Sequence, residues 1–231
     1  MPKTFTRNLI DRVEYSNIYN LLEDSSAFFF SGKMAINADG AYKAYHPNNT
    51  LGLDYLGNAG EPGNWWAIVT DNGKTSGNPI IQKSTDPAPG FYISTTAYQD
   101  ATKQRTDPRK NVDSVAIPFI VLPKGKKLYG AALGDLAMVY SKTTKKITGA
   151  ILADIGPKNS IGEASIACAN ALGVNSNPKH GGIGGGIIYI VFPNTKQPFP
   201  LTADAINTAA NAAFAKWGGL EKLKQVMPEY V

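Results

Sequence analysis

Short apolar runs broken by turn residues dominate the chain from about residue 65 onward. Residues 65–70, 79–82, 90–95, 114–122, 128–133, 136–141, 147–154 and 186–192 carry such runs, bounded by Gly, Pro, Asn or Asp, and each predicts a strand. Helical spacing appears elsewhere. Leu9, Ile10, Val13, Ile18, Leu21 and Leu22 predict a helical extension over residues 1–26, ahead of a main domain over 27–231. Residues 161–172 predict a helix stopped by Gly173. Residues 203–217 predict another, with Thr202 as N-cap and Gly218 as stop, and a short helix over 219–226 follows. Strands and helices do not alternate regularly. The pattern predicts a β-rich α+β fold with a few peripheral helices.

Composition adds limits. At 231 residues, 43% hydrophobic and 18% charged, the chain supports one sizeable globular domain. Its single cysteine, Cys168, excludes an intramolecular disulfide and sits among apolar neighbours that read as core. His46 and His180 are the only histidines, too few for a His-rich zinc site. No motif requires a metal or cofactor. No stretch approaches the roughly 20 apolar residues of a membrane span, and no signal-peptide pattern opens the chain. The expectation is a protein without a membrane partner, exported without a visible signal and acting outside the cell or in the periplasm. The net charge of +5 is scattered apart from Lys124-Lys126-Lys127 and Lys142-Lys145-Lys146, and no nucleic-acid motif accompanies it. The glycine run 181–186 precedes a strand rather than a helix, so it is not a dinucleotide-binding loop.

The candidate chemistry lies in Ala153-Asp154-Ile155-Gly156-Pro157-Lys158-Asn159-Ser160-Ile161-Gly162-Glu163-Ala164-Ser165. Asp154 ends a predicted strand and Glu163 opens a predicted helix. Two carboxylates across a turn suit acid/base cleavage of a sugar bond. A plainer reading stands beside this one. Asp154 can be a turn residue, and Ser160 with Glu163 fits the Ser-x-x-Glu capping box. Asp39, Asp54, Asp113 and Asp135 are further acidic residues near turns. Of Trp65 and Trp66, adjacent on a strand, at most one can line a cleft.

Other motifs fall in order along the chain. They include Asp39-Gly40, Ala44-Tyr45-His46-Pro47, Gly52-Leu53-Asp54-Tyr55-Leu56, Asn64-Trp65-Trp66-Ala67 and Asp86-Pro87-Ala88-Pro89-Gly90-Phe91-Tyr92. Val112-Asp113-Ser114, Ile117-Pro118-Phe119 and Gly134-Asp135-Leu136 follow, and then the segment from Ala153 to Ser165. Together, over roughly residues 35–195, they resemble family 75 of the glycoside hydrolases, the fungal-type chitosanases. The resemblance implies a barrel-like core similar to a double-psi barrel. It implies endo-hydrolysis of β-1,4-linked glucosamine chains with inversion. Its essential carboxylates fall on Asp154, taken as the acid, and Glu163, taken as the base. The Gly156-Pro157 turn would set their separation, about 6.5–9.5 Å for inversion. Asp39, Asp54, Tyr55, Trp65, Asp113 and Asp135 are the substrate-binding candidates. Two alternatives stay open, the first of them suited by the positive net charge. One is a peptidoglycan-cleaving effector with an immunity or delivery partner, and the other is a non-catalytic carbohydrate binder.

Overall fold

A computed structural model describes residues 4–125 and 128–231. Met1, Pro2 and Lys3 of the predicted extension, and Lys126 and Lys127 of the basic cluster, lie outside the described residues. The strands are β1 (Arg7–Val13), β2 (Ser16–Leu21), β3 (Phe28–Asn37), β4 (Gly60–Glu61), β5 (Asn64–Trp65), β6 (Phe119–Pro123), β7 (Leu136–Ser141), β8 (Ile147–Gly156), β9 (Glu163–Ser165) and β10 (Ile183–Phe192). The helices are α1 (Ile166–Leu172), α2 (Ala203–Trp217) and α3 (Gly219–Val226).

Six strands close a barrel in the order β3-β10-β7-β8-β6-β9, because β9 pairs back onto β3. The expected β-rich, barrel-like α+β core is present. Alternation along each strand divides the apolar residues into two sets. Phe28, Phe30, Met34, Ile120, Leu122, Val139, Leu152, Tyr189 and Val191 join α1 in one buried cluster. Phe29, Phe119, Met138, Ile151, Ile188 and Ile190 face the other way, under α2 and α3. Helix α2 turns Ile206, Ala210, Phe214 and Trp217 inward at helical spacing and is capped by Thr202, as its sequence predicts. It approaches β8 so closely that a Cβ at Gly149 would lie 2.7 Å from the Ala210 methyl.

The amino-terminal segment departs from the sequence reading. It is not helical. Strands β1 and β2 form an antiparallel hairpin, and β2 pairs with β3. Val13 pairs with Ser16, so Glu14 and Tyr15 form a two-residue turn with Glu14 at φ 49°. That turn carries no Gly or Asn, the usual hairpin signal. The helix-spaced apolar residues do not share a buried face either: Ile18 and Leu21 are buried while Leu9 and Leu22 are exposed.

Further expectations change: residues 79–82 and 90–95 form isolated bridges rather than strands, and of 65–70 and 114–122 only Trp65 and residues 119–122 lie in strands. The predicted helix over 161–172 begins only at Ile166, capped by the Ser165 hydroxyl. Residues 163–165 instead form β9, whose backbone completes the barrel between β3 and β6. The segment over 128–133 forms no strand, and a short 3-10 turn opens it. Between β3 and β6 the chain makes a long excursion, residues 38–118, tied by isolated bridges such as Ile68 to Ser94 and Ile81 to Tyr92. This excursion forms one wall of the cleft described next.

Candidate active site

The cleft, about 690 Å³, lies on the outer wall of the barrel where β3, β9, β6 and β8 run side by side. Ala35 and Asn37 of β3, Glu163 of β9, Val121 of β6 and Asp154 of β8 line it. A bulge gives Asp154 its direction. Strands β6 and β8 pair Ile120 with Leu152 and then Val121 with Asp154, which leaves Ala153 as the extra residue. An extra residue in one strand re-aims the next side chain. Asp154 therefore joins the Val121 face, while Leu152 stays in the interior cluster. Val121 also pairs with Glu163 on its other side. The separation of the two carboxylates is thus set by one intervening strand, not by the Gly156-Pro157 turn, since Gly156 is still within β8.

The capping box does not form. Glu163 lies on a strand and accepts a hydrogen bond at Oε1 from the Asn37 side-chain amide at 2.7 Å. Asp154 accepts at Oδ1 from the backbone N–H groups of Ala97 and Ile155, each at 2.9 Å. Asp39 completes a set of three. Its Oδ1 accepts from the Tyr45 hydroxyl at 2.7 Å and its Oδ2 from Asn37 at 3.4 Å. Asp39 also shares with Asp154 a smaller hollow of about 300 Å³ roofed by Trp66.

Burial and mutual repulsion shift these groups in one direction. Burial pushes Asp154 up to about 7, against the two backbone N–H groups that favour its anion, and the Glu163 charge adds to the rise. Burial and then the Asp154 charge hold Asp39 well above the usual carboxylate range. Burial also raises Glu163, but the Asn37 amide and the Lys33 charge counter it. The outcome is a pair suited to acid/base work: one carboxyl that keeps its proton near neutrality and one carboxylate held by an amide and a nearby cation.

The other predicted residues divide. Asp54 is buried in the cleft wall, with Oδ1 accepting from Tyr55 N–H at 2.7 Å and from the Asn58 amide at 2.9 Å. Tyr55 is outside the lining and packs against His180 and the Lys179 ammonium. Trp65 is buried against Tyr92, and Trp66 is the tryptophan that lines the cleft. Asp135 is far from it, fully buried and accepting from the backbone of Ala132, Asn194 and Thr195 to join two loops. Asp113 accepts from Val115 N–H in a turn and does not line the cleft. Cys168 is buried, which pushes its thiol up to about 12 and leaves it a core residue. Sequence reading missed Asn37 and Trp66. Asn37 carried no local signal, whereas the Trp65-Trp66 pair did, without indicating which ring faces out.

A family model described as "Fungal chitosanase of glycosyl hydrolase group 75" matches residues 70–221. The chain belongs to this family. It is a glycoside hydrolase of the chitosanase type, which implies a polysaccharide substrate. Among curated proteins none matches the chain. The matched span of this family member carries Asp154 and Glu163, while Asn37, Asp39, Asp54 and Trp66 precede it. Among the described residues, no three His, Cys, Asp or Glu side chains converge in a way that could hold a metal ion, and no helix is long and apolar enough to cross a membrane.

Proposed function

We propose that this chain is an endo-acting chitosanase that inverts the anomeric carbon and acts outside the cell, where such polymers lie. The observation that carries this reading is the charge of the cleft. Among the described residues, Asp39, Asp54, Asp154 and Glu163 line it and Lys124 is the one lysine or arginine that does. With Asp39 and Asp154 held toward their neutral forms, Asp54 and Glu163 carry its negative charge, and all four offer oxygens to ammonium groups. A polycationic glucosamine chain is attracted there despite the net charge of +5. The carboxylate-bearing glycan of peptidoglycan is repelled, so the same observation disfavours the effector reading.

In this mechanism Asp154 gives its proton to the glycosidic oxygen as the bond from that oxygen to the anomeric carbon breaks. Glu163 takes a proton from a water whose oxygen bonds to the same carbon from the opposite face. Strand spacing supports inversion. Two interstrand steps separate the backbones of Asp154 and Glu163, about 9.5 Å, a spacing compatible with the wide carboxyl separation of inverting enzymes. Asn37 orients Glu163 through its 2.7 Å hydrogen bond. Trp66, whose indole N–H is fixed on the Asn58 carbonyl at 3.0 Å, offers its exposed ring to a sugar face.

The test is incubation with deacetylated chitosan and with purified peptidoglycan, products being read by mass spectrometry and the first-formed anomer by NMR. Glucosamine oligomers released first as the α-anomer support the proposal. Muropeptides alone, or a β-anomer first, would overturn it.

A further inference from the structure

The cleft face of β3 carries a cation that the mechanism does not use. Lys33, Ala35 and Asn37 alternate with the buried Met34 and Ile36, so all three point to the outer wall. Ala35 pairs with Glu163 and Asn37 bonds it. Lys33 stands one step back on the same face, and its ammonium is held by Glu14 at 3.1 Å. Glu14 is the residue in the β1–β2 turn with positive φ.

The pair also grips the segment that delivers Glu163. Residues 157–160 lie outside any strand, and Pro157, Lys158 and Asn159 are exposed. The Lys33 ammonium reaches the Ser160 hydroxyl at 3.5 Å, and Glu14 Oε2 accepts from Ile161 N–H at 3.5 Å. Gly162 then crosses the Lys33 carbonyl so closely that a Cβ there would lie 2.5 Å from that oxygen. The next residue is Glu163. The amino-terminal hairpin, outside the matched family span, is therefore bonded to the approach to Glu163.

We propose that the Glu14–Lys33 pair is a clamp that positions Glu163 for catalysis. This rests on Glu163 being the base. Other charged and titratable groups also face Glu163. Asp39, Asp54 and Asp154 surround it from the loops and from β8, Lys124 lies at the end of β6, and the Tyr189 hydroxyl of β10 is bonded to the Lys33 carbonyl. Among the described cations, Lys33 is the one whose charge pulls the Glu163 carboxyl down. Its removal therefore raises the pH at which Glu163 becomes an effective base.

The experiment uses the full chain and a soluble, fully deacetylated glucosamine oligomer. Lys33→Met is expected to lower kcat about tenfold, within the range for a misplaced catalytic group, with little change in KM. The acidic limb of its kcat/KM profile moves to higher pH. Lys33→Arg restores both, and Glu14→Gln lowers kcat in the same direction by less. Wild-type kcat and an unmoved limb in Lys33→Met would overturn the clamp, as would a loss confined to thermal stability. Glu163→Gln is run in parallel. Activity near wild type in that variant removes the base reading and the clamp with it. An inactive Glu163→Gln beside a normal Lys33→Met overturns the clamp alone.

Discussion

Asp154 and Glu163 are both in register with Val121, one on each side of strand β6. The barrel therefore fixes their spacing through backbone hydrogen bonds rather than through a loop, and rigid elements hold reacting groups more tightly than loops do. Asp154→Asn and Glu163→Gln should each lower kcat at least ~10²-fold, the scale of an acid/base role. Circular dichroism of both should match the parent. Glu163 caps no helix, so a normal rate in Glu163→Gln would count directly against its role.

The pH dependence follows from the same pair. In the proposed mechanism Asp154 acts in its protonated form, and burial places it at about 7. As the proposed base Glu163 acts ionised, and it stands above its ordinary 4.5. The kcat/KM profile should be a bell on the mildly acidic side, falling as pH rises through about 7. A plateau extending to pH 9 would contradict the acid assignment.

Stability should pay for this arrangement in a defined pH window. Asp154 has its folded pKa raised from 3.8 to about 7, so its neutral form is the one the fold favours. Its contribution is fully present below 3.8 and is lost as pH rises through about 7. Asp154→Asn carries no charge at any pH and keeps an acceptor for the Ala97 and Ile155 N–H groups. The variant should therefore melt higher than the parent at pH 8, with the difference shrinking toward pH 4. Thermal melts across that range check the sign.

Local patterning made parts of this molecule legible. Strand Leu136–Ser141 and helices Ala203–Trp217 and Gly219–Val226 appear where periodicity and caps put them. Asp154 and Glu163 stood out because the motif holding them is contiguous. What sequence did not show is long-range. Residues Glu163–Ser165 have no strand signature and are extended because they pair with Ala35, Ile36 and Asn37 on one side and with Ile120 and Val121 on the other. The hairpin turn at Glu14-Tyr15 lacks turn residues. Asn37 reaches Glu163 across 126 positions of chain, a contact no local window contains.

Gly156 gives a test of the space between the carboxylates. It lines the cleft, and a Cβ there would lie 3.1 Å from Val121 Cγ1 and 3.6 Å from Glu163 Oε2. Its backbone does not occupy the left-handed region, so a side chain is tolerated conformationally. Gly156→Ala should retain the fold with reduced activity. Gly156→Val, with two more methyl groups directed into the gap, should lose ~10²-fold or more in kcat/KM, as misplacement of reacting groups does. Full activity in Gly156→Val would show that no water or sugar occupies that gap.

The two adjacent tryptophans should part company on substitution. Trp65 is 7% exposed and packs in the core, so Trp65→Ala should destabilise the protein by about 3–5 kcal/mol. Trp66 is 55% exposed over the cleft, far more than Trp65. Trp66→Ala should lower the melting temperature less than Trp65→Ala does and raise KM about fivefold, consistent with a stacking contact of about 1 kcal/mol. Trp66→Tyr should recover most of that loss, because a smaller ring still offers a flat face. Fluorescence titration of the Glu163→Gln protein with glucosamine oligomers separates binding from turnover. Quenching that persists unchanged after Trp66→Ala would remove Trp66 from the binding surface.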